Sequence, residues 1–436
     1  MRRLALVLSS GLLLSCAMGP DYSRPDISTN DSYRMAEDGH DLPSLANLPW
    51  WELYRDEELQ KLIRIALEEN KDLERAVATV EEFEARLFIA KTDYAPQMNA
   101  TANGPVVREG GVRFPGFANP FNYYLQGNLA WEIDIWGRIR RSNEAARADL
   151  LAREENRRAV ILQLVGNVAQ AYFDLRQFDL QLDIAARTLQ AWDESVRISQ
   201  ARYRRGVINR LDVEQFRAER ENAASRIAEL RRQMIQKENE MGVLMGRNPG
   251  QIPRGRSLTD QVMPPVVPAG LPSDLLQRRP DVVQAEQQLA AATARIGAAK
   301  ADRFPKVSLT GTLGIANPSL SKLFTAGGDF GVLGPGLTGP LLNAQTLGFQ
   351  QDAADAQARQ AAAQYKQTIL VAFKEVEDAL IGVSTAREQA AAQERQVTAL
   401  KAALHLANLR YKGGLANYLD VLIAQRNLFE AELSLA

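Results

Sequence analysis

Apolar residues recur at three and four along Leu59, Leu62, Ile63, Ala66 and Leu67, the spacing of one face of a helix. A second helix is expected from about Asp72 to Asp93, on Leu73, Ala76, Val77, Val80, Phe83 and Leu87, and Pro96 ends it. Then the period changes. Residues 97–103 are short, polar and tolerant of extended backbone, and a Gly- and Pro-rich stretch over 104–120 reads as a loop. Leu125, Leu129, Trp131, Ile133 and Ile135 alternate with Gln126, Asn128, Ala130, Glu132 and Asp134. That is a strand with one apolar and one polar face. In a soluble domain the apolar face meets a core; in a barrel it meets lipid. The aromatics Tyr123, Tyr124, Trp131 and Trp136 near its ends suit an interfacial girdle.

After Gly137 the helical period returns and persists from about Arg138 to Arg205, on the order of 100 Å at 1.5 Å per residue. Val168, Tyr172, Leu175, Phe178, Leu182, Ala185, Leu189, Trp192, Val196 and Tyr203 make a narrow seam of the coiled-coil kind. A return helix is expected from Arg210 to Gly246. Residues 247–274 are rich in Pro and Gly and form a linker. Beyond it the series restarts. A helix runs from Arg279-Pro280-Asp281 to Ala301, and Val307, Leu309 and Leu313 alternate with Ser308, Thr310 and Thr312 as a strand. A Gly-rich fourth strand lies within 327–342. A long Ala- and Gln-rich helix then starts near Leu347, and a short final helix starts at Tyr418.

The two halves meet their turns in matching words. Residues 202–213 read RYRRGVINRLDV and residues 410–421 read RYKGGLANYLDV, with seven of twelve positions identical at an offset of 208. Each reads as a helix stop followed by a restart. Cations suit the negative C-terminal pole, and Gly206 and Gly414 suit the left-handed closing residue. Asn209 and Asn417 suit the N-cap, and Asp212 and Asp420 then fall at N3, beside the positive pole. The bends also differ, Arg210 against Tyr418 and Glu214 against Leu422, an asymmetry that suits motion of one hairpin against the other. The expected fold is therefore α+β and mainly α, with helix, strand, strand and long helical hairpin occurring twice. Four strands cannot close a barrel and leave exposed edges, and narrow-seamed hairpins have little core of their own, so a closed homo-oligomer is expected.

Composition changes this picture little. The net charge over 436 residues is −1, without the basic excess that nucleic acid binding asks for. Two widely separated histidines, His40 and His405, and a single cysteine give no His-based metal site and no intrachain disulfide. No nucleophile, base and acid set is visible, and Asp329-Phe330-Gly331 is a coincidental match to a kinase motif, so neither enzyme nor cofactor is expected. The N-terminus matters more. Arg2 and Arg3 precede an apolar run from Leu4 to Leu14, too short to span a bilayer. Leu13-Leu14-Ser15-Cys16 then resembles a bacterial lipobox, which implies cleavage before Cys16 and its lipidation. The expected division is a signal peptide over 1–15, a lipidated tether over 16–49, a first repeat over 50–246, the linker over 247–274 and a second repeat over 275–436.

The lipobox, residues 19–25 (GPDYSRP), Trp50-Trp51, the Arg279-Pro280-Asp281 restart and the two bends together resemble the TolC-like outer-membrane factor family, in its lipoprotein (OprM/NodT-like) branch. The resemblance spans essentially the whole chain. It implies a homotrimer with a twelve-stranded outer-membrane β-barrel on a periplasmic α-helical tunnel. The role it implies is a passive exit duct for drugs or other small molecules. The implied partners are a periplasmic adaptor and an inner-membrane transporter of the RND type. By the same resemblance Tyr411 bonds Asp212 across the bends, and Asp420 contributes an acidic ring at the periplasmic aperture. Leu419 and Arg426 match constriction residues, and Gly206-Val207 and Gly414-Leu415 match tips that meet the adaptor. The chain departs from the pattern at Ile423, where a second acidic ring is expected, and at Ala416, where an arginine is. Read locally, Asp212 and Asp420 also serve the helix dipole, and both roles can coexist. The rival reading is a periplasmic coiled-coil adaptor or scaffold lipoprotein.

Overall fold

The computed structural model describes residues 17–28, 33, 54–104, 123–262, 276–325, 327–340, 343–415 and 417–436. Cys16, Trp50-Trp51 and Ala416 lie outside the described residues. In chain order the elements are α1 (Glu57–Glu69), α2 (Lys71–Thr92), β1 (Gln97–Asn103), β2 (Tyr123–Ile133), α3 (Arg138–Arg204) and α4 (Arg210–Leu244). The second half supplies α5 (Pro280–Ala301), β3 (Lys306–Asn317), β4 (Asp329–Thr338), α6 (Ala344–Lys412) and α7 (Tyr418–Leu435). The order helix, strand, strand, long helix, bend, helix thus occurs twice. The compact units do not follow the halves. One comprises residues 1–28, 77–157 and 276–370, and the other residues 29–76, 158–275 and 371–436, so each draws on both halves.

The first unit holds a four-stranded antiparallel sheet in the order β1-β2-β3-β4. Its central pair joins the halves, from Tyr123 opposite Asn317 to Ile133 opposite Val307. The strand β3 is longer than expected, because the small residues Gly314 and Ala316, which weaken its alternation, still pair with Gln126 and Tyr124. Register carries the alternation across β1, β2 and β3; in β4 it breaks, since Val332 and Phe330 fall on the polar side opposite Thr312 and Gly314. Met98, Leu129, Gly311 and Leu333 lie in one row, and Ile133, Val307 and Leu337 in another. On the opposite face Asn128 donates to the Thr101 hydroxyl at 3.4 Å and accepts from Thr312 at 3.2 Å. Among the described residues neither face is covered: no residue of the four strands is buried, and Met98, Leu313, Val332 and Leu337 are each more than 70% exposed.

The same unit fastens the segment that follows Cys16. Buried Glu286 on α5 accepts two bonds from Arg24 at 2.8 and 2.7 Å and one from the Tyr22 hydroxyl at 3.0 Å. Arg141 on α3 donates to the Met18 carbonyl and to Asp21. Backbone meets backbone here: a Cβ on Gly19 would stand 2.4 Å from the Gly297 Cα.

The second unit is built on helical seams. Leu59, Leu62, Ile63 and Ala66 of α1 bury against Leu164, Val168, Tyr172 and Leu175 of α3 and Met241 of α4. The linker docks on the same core through Asp56, the N-cap of α1. Its carboxylate accepts from the Leu59 N–H, the Tyr172 hydroxyl, the Arg256 N–H and the Gln261 amide. Gly255 permits the approach, since a Cβ there would fall 2.2 Å from Asp56 Oδ1. Among the described residues no helix is long and apolar enough to cross a membrane.

Candidate functional site

Both bends belong to the second unit. At the first, the Gly206 N–H donates to the Tyr203 carbonyl at 2.9 Å and the Val207 N–H to the Arg202 carbonyl at 3.0 Å. At the second, Gly414 donates to Tyr411 at 3.1 Å and Leu415 to Arg410 at 2.8 Å. Both glycines have φ of 74°. This is the double bond of a Schellman cap, in which the residue after the glycine usually folds back on an apolar residue five positions earlier. Here that earlier position is Arg202 or Arg410. Deprived of an apolar partner, Val207 and Leu415 stand 61% and 75% exposed.

The restarts differ. Asn209 forms a full capping box with Asp212: the Asp212 N–H donates to the Asn209 side chain at 2.9 Å, and the Asn209 N–H to the Asp212 carboxylate at 3.3 Å. Asn417 makes no side-chain cap, and the Asp420 carboxylate has no partner among the described residues. The reason lies at N1. Arg210 is exposed and pairs with Glu214 at 3.5 Å, so the first restart depends on its local cap. Tyr418 occupies the same position in the second and is buried with Leu422, so tertiary packing holds it instead.

That packing is a train of rings below the bends. Trp192 of α3 meets Phe216 of α4 edge-on at 6.3 Å, Phe216 lies 3.9 Å from Tyr418, and Tyr418 meets Tyr411 of α6 at 5.0 Å. The guanidinium of Arg202 closes the train, 4.7 Å above the Tyr411 ring. Its Nη1 also donates to the Tyr411 hydroxyl. The expected link from Tyr411 to Asp212 is therefore not formed. The Asp212 carboxylate is spent on the Asn209 N–H, and the tyrosine takes the arginine one turn before the bend. Arg202 was legible only as a cation suited to a helix end; its partner lies 209 residues away, with no local signal. Among the described residues the Tyr418 hydroxyl is buried with only Ser195 beside it, and the Ser195 hydroxyl donates to the Ala191 carbonyl. Burial, then the neighbouring Tyr411, push the Tyr418 phenol above its ordinary value, so it stays neutral.

The helix α7 has two faces. Tyr418, Val421, Leu422 and Phe429 are buried. Leu419, Ile423 and Arg426, at steps of four and three, are exposed, with Asp420 beside them. The structure thus brings four expected aperture positions, counting Ile423, onto one uncovered face and leaves Asp212 and Tyr411 below the bends. The four tip residues stand at the bends themselves. Among the described residues no cluster of three metal-ligating side chains occurs.

Comparison with known proteins finds similar chains over nearly the whole length. The family model described as "Outer membrane efflux protein" matches residues 62–247 and 271–436. The cation efflux system protein CusC of Escherichia coli is 34% identical over 427 residues, covering 97% of this chain and 92% of that protein. The toluene efflux pump outer membrane protein TtgI of Pseudomonas putida is 35% identical over 434 residues, covering 97% and 92%. A crystal structure of CusC, from work on folding and transmembrane channel formation, superposes with a TM-score of 0.86 at 33% identity and covers 96% of this chain and 95% of that one. The chain belongs to the outer membrane efflux protein family.

Proposed function

We propose that three copies of this chain form the exit duct of a tripartite efflux pump, with twelve strands closing a barrel in the outer membrane. The observation that carries this reading is the sheet. It has an apolar face, a second face that is polar and hydrogen-bonded across β1 to β3, two open edges at β1 and β4, and, among the described residues, nothing buried on either side. An open sheet with both faces bare is costly in water, whereas copies joined edge to edge set the apolar face against lipid and the polar face against an aqueous lumen. Cys16 serves as the lipid anchor, and the segment held by Glu286 and Arg141 ties that anchor to the sheet's own unit.

In this reading the bends are the periplasmic mouth. Val207 and Leu415, exposed because their caps lack an apolar partner, meet the periplasmic adaptor, with Gly206 and Gly414 shaping the tips. Leu419, Asp420 and Arg426 line the aperture. Arg202, Tyr411 and the Asp212 cap brace it from behind. An inner-membrane transporter of the RND type supplies the energy. The cargo is a small molecule; the relatives' names speak of cations and of toluene.

Extraction tests this reading. The protein is expected to need detergent and to run as a three-chain species by native mass spectrometry. Release by high salt without detergent, as a monomer, would support the scaffold reading instead. With the trimer intact, Val207→Asp combined with Leu415→Asp is expected to abolish export in cells.

A further inference from the structure

The bends are much more basic than the chain that carries them. Residues 202–214 and 410–426 hold seven cations against three carboxylates, in a protein whose net charge is −1. Local pairing removes little of this surplus. Arg210 is matched by Glu214, and Arg202 is spent on the neutral Tyr411. Arg204, Arg205, Arg410, Lys412 and Arg426 are exposed and have no ion-pair partner among the described residues. The helix dipoles explain why four of these sit where they do, in or just past the last turns of α3 and α6. They do not cancel the charge, because each bend joins one negative helix end to one positive end, and the half-charges offset. Arg426 needs another account, as it stands in mid-helix on the bare face of α7 with Leu419 and Ile423. Isoleucine stands at 423, and the carboxylates of that face are Asp420 beside it and Glu430, one turn beyond Arg426.

We propose that the mouth formed at these bends prefers anions, and that the cargo class this duct favours is amphipathic organic anions such as carboxylates and sulfonates. The inference rests on the duct reading. Around a closed ring the surplus recurs in every copy, and a constriction with low-dielectric walls focuses such a field and raises the local concentration of the opposite charge.

The test is the reversal potential of the purified full-length protein in a planar lipid bilayer under a KCl gradient. Chloride is expected to permeate at least about twofold better than potassium, and the preference should fade near 1 M salt, where the screening length is about 3 Å. Arg426→Glu should bring the ratio to one or below, and Asp420→Asn should raise it. A potential on the potassium side in the unaltered protein overturns the inference while leaving the duct standing, as does a ratio that Arg426→Glu does not move. A protein that conducts at no voltage overturns the duct reading, and the inference with it.

Discussion

Asp56 caps α1 through the Glu58 and Leu59 N–H groups and holds the linker through Tyr172, the Arg256 N–H and Gln261, all while only 2% exposed. Burial alone would raise its pKa. The bonds from Gln261, Tyr172, the Arg256 N–H and the Leu59 N–H outweigh that and hold the carboxyl below its ordinary value. A carboxylate lowered on folding contributes stability that is complete above the ordinary carboxylate range, near pH 4, and is lost as pH falls through the lowered value. Asp56→Ala leaves those donors unmatched in a buried site and is expected to cost about 3 kcal/mol. Thermal unfolding in detergent at neutral pH measures the loss, and protease cutting within 254–261 should rise with it. The difference between the two proteins should shrink as the solution is acidified below pH 4. The residues around Asp56 account only for its cap on α1: its other donors come from α3 and from a linker 200 residues on.

At the scale of elements, periodicity was a good guide to what forms and a poor one to what meets. The long helix was legible as Arg138 to Arg205 and forms over Arg138–Arg204, because its seam repeats for many turns. The two bends were legible because glycine, asparagine and aspartate each have a local conformational reason to be there. Their difference was not, because it depends on Phe216 and Tyr411 receiving Tyr418 from other helices. This yields a paired expectation. Gly206→Ala and Gly414→Ala force the same left-handed backbone on a Cβ that meets nothing within 4 Å, so each should cost about 1–2 kcal/mol, and equally. Asn209→Ala should cost about 1 kcal/mol through its capping box, whereas Asn417→Ala, with no side-chain bond to lose, should cost little. Melting temperatures of the four variants decide it. Equal losses at the two asparagines would mean that the second bend has a side-chain cap after all.

For the molecule as a whole, the duplication visible in the sequence does not make two domains. Each compact unit takes a share of both halves: one collects all four strands, the other both bends. The central strand pair, β2 with β3, is itself a contact between halves, so neither half can complete the sheet alone. What the sheet faces is then a property of the assembly, and a charge placed on one face or the other reads it out. Leu333 stands in the apolar row with Met98 and Leu129, while Thr312 stands on the polar face beside Asn128. If the apolar face meets lipid, Leu333→Arg should cost about 2–4 kcal/mol toward the middle of the bilayer, and Thr312→Arg, facing water in the lumen, far less. The amount of assembled trimer recovered from outer membranes measures both. A soluble sandwich with the apolar face packed inward also penalises Leu333→Arg, but its product would be found outside the membrane fraction. Equal tolerance of the two arginines would mean that the faces are not divided between lipid and water, and the barrel would have to be abandoned.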